Sequence, residues 1–194
     1  MTQPYRPLMV ALLGLGLTAG VYAQIRKPQG NMPSPETQQQ LEMAMENMAK
    51  VMLDTKMEDR PGYMMKAQEE ASARGQALFN NADLGRNGQT CNSCHPGGGS
   101  TAGEAEVMMK GRFPMNPKLP IPSLVGAAAT FPKYKVPNDA VVTLATMNNN
   151  CVKMFLMGEG LPLDGQESRD LAAYVSSFSN GEEVAVGQMQ MMQR

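Results

Sequence analysis

The stretch Cys91-Asn92-Ser93-Cys94-His95 decides how the rest of the chain is read. Two thiols three positions apart, followed at once by a histidine, form the attachment pattern of a c-type haem. Each cysteine can form a thioether to a haem vinyl group, and the adjacent His95 supplies the proximal ligand to iron. The competing readings are weaker. A thioredoxin-like redox pair leaves His95 as a coincidence. A structural zinc site wants four ligands, and Cys151 is the only cysteine left to help. His95 is the one histidine of the sequence, so a single haem is expected and no bis-histidine pair is available. The open question is what faces the iron from the other side.

Working outward, 194 residues suit one compact domain with extra segments. The balance of 17 basic against 18 acidic residues argues against a nucleic-acid partner. Trp is absent and Met numbers 19. Flexible methionines pack well around an irregular cofactor surface, so most of them are expected to be filling. Residues 1–23 read as a secretory signal. Arg6 gives the positive start, Leu8 to Leu17 the short apolar run, and Val21-Tyr22-Ala23 a small-residue cleavage site. Membrane attachment is expected only if that segment stays uncleaved. Export agrees with c-type haem attachment and places the mature chain in the periplasm. There Cys151 is an odd thiol, a flag for reactivity or metal ligation.

Residues 24–62 are expected to form a linker and an amphipathic helix, 63–180 the haem domain, and 181–194 a flexible tail. Ser34 and Pro35 look like the N-cap and first position of a helix over 36–59. Its stripe Leu41, Met45, Met48, Met52 either lies against the haem domain or docks a partner. A second helix is predicted from Met64 to Asn80. A last one, Glu167 to Phe178, is capped by Asp164 or Ser168 and places Leu171, Tyr174 and Val175 on one face. The Pro-rich stretch 111–122 cannot be regular helix. From Asp139 to Met157 the chain is predicted helical, with Gly158 to Pro162 ending it.

The residues alone leave the sixth ligand open. Met154, Met157, Met147 and Met115 are thioether candidates, which raise the potential. Cys151 is a thiolate candidate that lowers it, and an open or water-bound site is the third choice.

Several segments resemble known cytochromes. Gly75-Gln-Ala-Leu-Phe79 is similar to the first helix of a class I cytochrome c, and Pro122-Ser-Leu-Val-Gly126 to the segment following haem attachment there. That resemblance implies that the Pro122 carbonyl accepts a hydrogen bond from His95 and tunes the iron. Residues 131–178 go further. Phe131-Pro-Lys-Tyr134, Met147-Asn-Asn-Asn-Cys151, Gly158-Glu-Gly-Leu-Pro162 and Leu171-Ala-Ala-Tyr-Val175 follow in an order that resembles the haem domain of thiosulfate dehydrogenases and of the Sox-system haem subunit. The resemblance implies a His/Cys-ligated haem with Cys151 opposite His95. Where that family usually has an arginine three residues after the cysteine, this chain has Met154, with Lys153 beside it. Lysine offers charge without the forked donor pattern. Those dehydrogenases also commonly carry a second haem domain.

The reading is therefore a mainly α, cytochrome c-like haem domain with long irregular loops, preceded by a Met-rich helix. Its function is periplasmic single-electron transport through one covalent haem c, in sulfur-compound oxidation. The partners are redox proteins and small sulfur anions. Lys110, Arg112, Lys118, Lys133 and Lys135 either ring the haem edge as a docking patch or are ordinary solvated charges. The alternative is a haem enzyme of thiosulfate oxidation, with Cys151 and Lys153 at its active site. A gas-binding haem sensor is a third class.

Overall fold

The computed structural model describes residues 34–106 and 118–188. The signal segment, most of the linker, Lys110, Arg112, Met115 and the last six residues lie outside them. The chain divides after Thr55 into two units, each described by itself. In the first, helix α1 spans Pro35–Asp54, with Ser34 accepting from the Thr37 amide at 3.2 Å and Pro35 in the first turn. Leu41, Met45, Met48 and Met52 are all exposed along it. The helix stops five residues before the predicted end because Thr55 turns extended. Among the described residues, no helix is long and apolar enough to cross a membrane.

In the second unit, α2 (Arg60–Phe79) starts four residues earlier than predicted. Pro61 sits in its first turn, where the missing amide hydrogen is not needed. A one-turn helix, α3 (Cys91–Cys94), follows, then two short antiparallel hairpins. β1 (Gly103–Glu106) pairs with β2 (Lys118–Ile121), and β3 (Lys133–Lys135) with β4 (Ala140–Val142). Helices α4 (Leu144–Met154) and α5 (Gln166–Ser177) complete the unit. The predicted helix from Asp139 is thus replaced by a strand and a shorter helix. Asp139 sits at φ 46°, in the left-handed region, and Val141-Val142-Thr143 are β-branched residues that favour a pleated surface. The predicted caps Asp164 and Ser168 are also corrected. Gly165 occupies the N-cap of α5, and Ser168 is buried inside the helix.

The crossing of α2 and α5 closes the unit. It turns on Gly75, where a Cβ would stand 2.0 Å from the Asp170 carbonyl oxygen and 2.7 Å from Tyr174 Cβ. Only glycine admits so close an approach. Arg74 clasps the buried Asp170 carboxylate with two hydrogen bonds of 2.7 and 2.9 Å. Beside the crossing, Phe79 (1% exposed), Leu171 and Tyr174 form the core. The Tyr174 ring meets Phe79 and Phe178 edge-on, each at 5.2 Å between centroids. Its hydroxyl donates to the Gly98 carbonyl at 2.6 Å, so the one polar atom of this aromatic stack is satisfied. Past α5, Ala185 and Gly187 donate to the carbonyls of Ala129 and Thr130 at 2.9 and 3.0 Å.

Candidate haem site

The turn α3 is held by a reciprocal cap. Thr90 Oγ1 accepts from the Ser93 amide at 3.2 Å, and Ser93 Oγ accepts from the Thr90 amide at 3.1 Å. A gap of three residues on one helical turn puts Cys91 and Cys94 on the same face. Both line a cavity of about 210 Å³, together with His95 and Pro122. Burial pushes the Cys91 thiol up to about 11 and raises Cys94 as well.

His95 Nδ1 lies 3.1 Å from the Pro122 carbonyl oxygen. A carbonyl only accepts, so Nδ1 carries the proton and Nε2 keeps its lone pair. Burial lowers the His95 pKa, with the Pro122 bond pulling the other way. The neutral ring is the form that binds metal. Phe79 stands beside it, 6.4 Å between ring centroids.

Helix α4 supplies a further part of the lining. Thr143 caps it by accepting from the Thr146 amide at 3.3 Å. Leu144, Met147, Asn148, Cys151 and Phe155 all line the cavity, and their spacing is that of one helical face. Burial, ahead of the neighbouring thiols, pushes the Cys151 thiol up to about 12, against an opposing pull from Lys135. The three asparagines before it go to three different places. Asn148 faces the cavity. Asn149, 7% exposed, donates to the Leu161 carbonyl at 2.5 Å and accepts from the Leu161 amide at 2.6 Å. Asn150 donates to Asn138 Oδ1 at 2.5 Å. The orientation of α4, and with it Cys151, is thereby tied to the following loop and to the β3–β4 turn. Replacing Asn149 by alanine strands the Leu161 amide and carbonyl. It should cost about 2–3 kcal/mol in denaturant unfolding, and a loss under about 0.5 kcal/mol would show that water takes over both bonds.

The other expected site residues fall elsewhere. Met154 (45% exposed) and Met157 (47% exposed) are off the cavity lining, whereas Met147 is on it. Lys153 is exposed and its side chain passes over Gly160. Of the expected docking patch, Lys118 is exposed and pairs with Glu104 at 3.7 Å. Lys133 is corrected outright: it is 7% exposed and, with Lys135, lines the cavity. The alternation Lys133-Tyr134-Lys135 puts both lysines on one side of the strand, and which side is covered depends on the fold around it.

These residues fit a haem c. Two thiols and a neutral imidazole converge on an apolar chamber whose walls include Phe79, Leu124, Leu171 and Val175. Cys91 and Cys94 would hold the macrocycle and His95 Nε2 the iron, and Cys151 lines the same cavity. The Asn148 amide nitrogen is fully enclosed and has no hydrogen-bond partner. An orphaned buried donor is a mark of a chamber built for a guest.

Residues 117–184 match the family described as SoxA/TsdA, cytochrome c domain. The chain is 30% identical over 100 residues to the thiosulfate dehydrogenase of Allochromatium vinosum. That alignment takes in 51% of this chain and 32% of the relative, so the chain spans about a third of that protein's length. Among solved structures, the thiosulfate dehydrogenase (TsdBA) of Marichromatium purpuratum in its "as isolated" form aligns with 61% of this chain and 24% of its own, at 19% identity and a TM-score of 0.45. The family match holds Pro122, the β3–β4 hairpin and Cys151, and haem c is the cofactor such a domain implies. Over residues 117–184 the chain is thus similar to a cytochrome c domain of the SoxA/TsdA type.

Proposed function

We propose that this chain is an exported, periplasmic cytochrome that relays single electrons through one covalent haem c during the oxidation of inorganic sulfur compounds. One observation supports it above the rest: Cys91, Cys94, His95 and Cys151 meet on the walls of a single apolar cavity, with His95 tied to Pro122. Haem c supplies a one-electron Fe(III)/Fe(II) couple. The residues of the chain set the terms on which it works. Cys91 and Cys94 hold the group covalently, and the Pro122 carbonyl keeps the His95 ring in place and makes it more basic. Cys151 offers a strongly donating thiolate that favours the ferric state, and the apolar walls keep water away. Neither a proton donor nor a nucleophile is required, and the natural partners are redox proteins.

The second reading is a haem enzyme of thiosulfate oxidation. Its support is the likeness to the Allochromatium vinosum enzyme and two lysines in the same cavity as Cys151. Coupling two thiosulfates releases two electrons, however, and one haem accepts one. Two measurements on haem-loaded protein test the proposal. Electron paramagnetic resonance with near-infrared magnetic circular dichroism of the ferric form should give a thiolate signature, and a thioether signature would remove Cys151 from the iron. Steady-state assay with thiosulfate and an electron acceptor should give no turnover. Turnover that disappears in Cys151→Ala would overturn the carrier role. Recovery of the chain in the periplasmic fraction, starting at Gln24, tests export.

A further inference from the structure

Two lysines, Lys133 and Lys135, line the same cavity as Cys151. Strand β3 sends Lys133 and Lys135 inward and Tyr134 outward, where the phenol donates to Asp139 at 2.7 Å. Both lysines sit over the Phe131 ring, their Nζ atoms 4.7 and 5.8 Å from its centroid. Lys133 is buried, and its Nζ donates to Thr130 Oγ1 at 2.7 Å. An ammonium has three protons to place. Carboxylates pair with Lys66, Arg74, Arg86 and Lys118, and among the described residues none is seen to pair with Lys133 or Lys135. A face-on aromatic ring recovers only part of the lost hydration of a buried cation. Burial, and after it the charge of Lys135, lowers the Lys133 pKa. A third donor belongs to a residue lining the same cavity, the enclosed and unpartnered amide nitrogen of Asn148.

We infer that Lys133, Lys135 and Asn148 form an anion-binding corner of the cavity, and that its occupants are the two propionate carboxylates of the haem. The inference rests on the proposed haem site and deepens it. The charge count is the reason for choosing the propionates. Two ammonium groups balance two carboxylates, which leaves the apolar chamber without net charge from this pairing. The same donors would serve a small inorganic anion, such as thiosulfate, entering beside Cys151. An exchangeable anion would leave the buried Lys133 cation and its half-buried neighbour Lys135 uncompensated whenever it departed.

The test compares haem-loaded wild type with Lys133→Met and Lys135→Met. Methionine keeps about the length and the apolar stem of lysine and removes the ammonium group alone. Covalent haem content should equal that of wild type. The propionate-bending band in the resonance Raman spectrum should shift in both variants. The midpoint potential at fixed pH should fall in both, because a cation beside the haem disfavours the extra positive charge of ferric iron. Titration with thiosulfate should leave the wild-type ferric spectrum unchanged. An unmoved Raman band overturns the assignment. If thiosulfate perturbs the wild-type spectrum and Lys133→Met abolishes that response with the band unmoved, the corner belongs to a small anion. If Lys133→Met yields no haem-loaded protein, Lys135→Met decides alone. Failure of the underlying haem reading is distinct, since wild type itself would then carry no covalent haem.

Discussion

Replacing Gly75 by alanine should destabilise the haem-loaded protein by about 2–4 kcal/mol, while the same exchange at Gly62 should be neutral or gain up to about 1 kcal/mol. Both glycines lie in α2, and alanine is the better helix former at either place. Surroundings separate them. A Cβ at Gly62 meets nothing within 4 Å, whereas one at Gly75 falls 2.0 Å from the Asp170 carbonyl oxygen and 2.6 Å from its carbon. Those are backbone atoms of α5 and cannot swing aside, so the helices must part. Parting them loosens the Phe79–Leu171–Tyr174 core and strains the Arg74–Asp170 clasp. Against a total stability of about 5–15 kcal/mol, such a loss is large. Denaturant midpoints of the two variants, read on the same haem-loaded protein, check the pair. Equal midpoints would show that the crossing is not tight at Gly75.

Exchange of Cys151 for methionine should raise the midpoint potential by on the order of 0.1–0.3 V, a share of the roughly 0.8 V that axial ligands span. It should also replace a thiolate magnetic circular dichroism signature with a thioether one. Burial holds the Cys151 thiol protonated up to about pH 12. At neutral pH it becomes a thiolate only against a local positive charge such as a metal. Methionine donates through a neutral sulfur and relieves the ferric state of that stabilisation. Met154→Leu and Met157→Leu serve as controls. Both side chains are exposed and off the cavity lining, so neither exchange should move the potential. Spectroelectrochemical titration of the three variants reads the outcome. An unchanged potential in Cys151→Met, with a shift in either control, would return the sixth position to a methionine.

Local chemistry made part of this legible. The Cys-x-x-Cys-His turn, the Gly75-to-Phe79 spacing and the apolar face of the last helix are short-range patterns, and each stands where it was expected. The Pro122 carbonyl also meets His95, although 27 residues of chain separate them. What stayed hidden depends on pairing across distance. Residues 139–143 look helical beside the pattern that follows, and only the partnership of β4 with β3 makes them a strand. Lysine is normally a surface residue, so the burial of Lys133 cannot be read without knowing which face of β3 is covered. The asparagines of α4 suggest turns by propensity. Asn149 instead spends its amide on Leu161, twelve residues away, a tertiary contact that no local rule supplies.

The β3–β4 hairpin fixes the charge of the cavity by parity alone. Lys133 lies opposite Val142 and Lys135 opposite Ala140, with Tyr134 between them facing out. A change of one residue in the 136–139 connection that slips β3 by one position against the wall it covers would invert that order. The phenol would turn inward and both ammonium groups would move to water, although no cavity residue had been substituted. A change of two residues would restore the original faces. Loop length here is thus a control on electrostatics, and single-residue insertions or deletions in this turn should be far more disruptive than double ones.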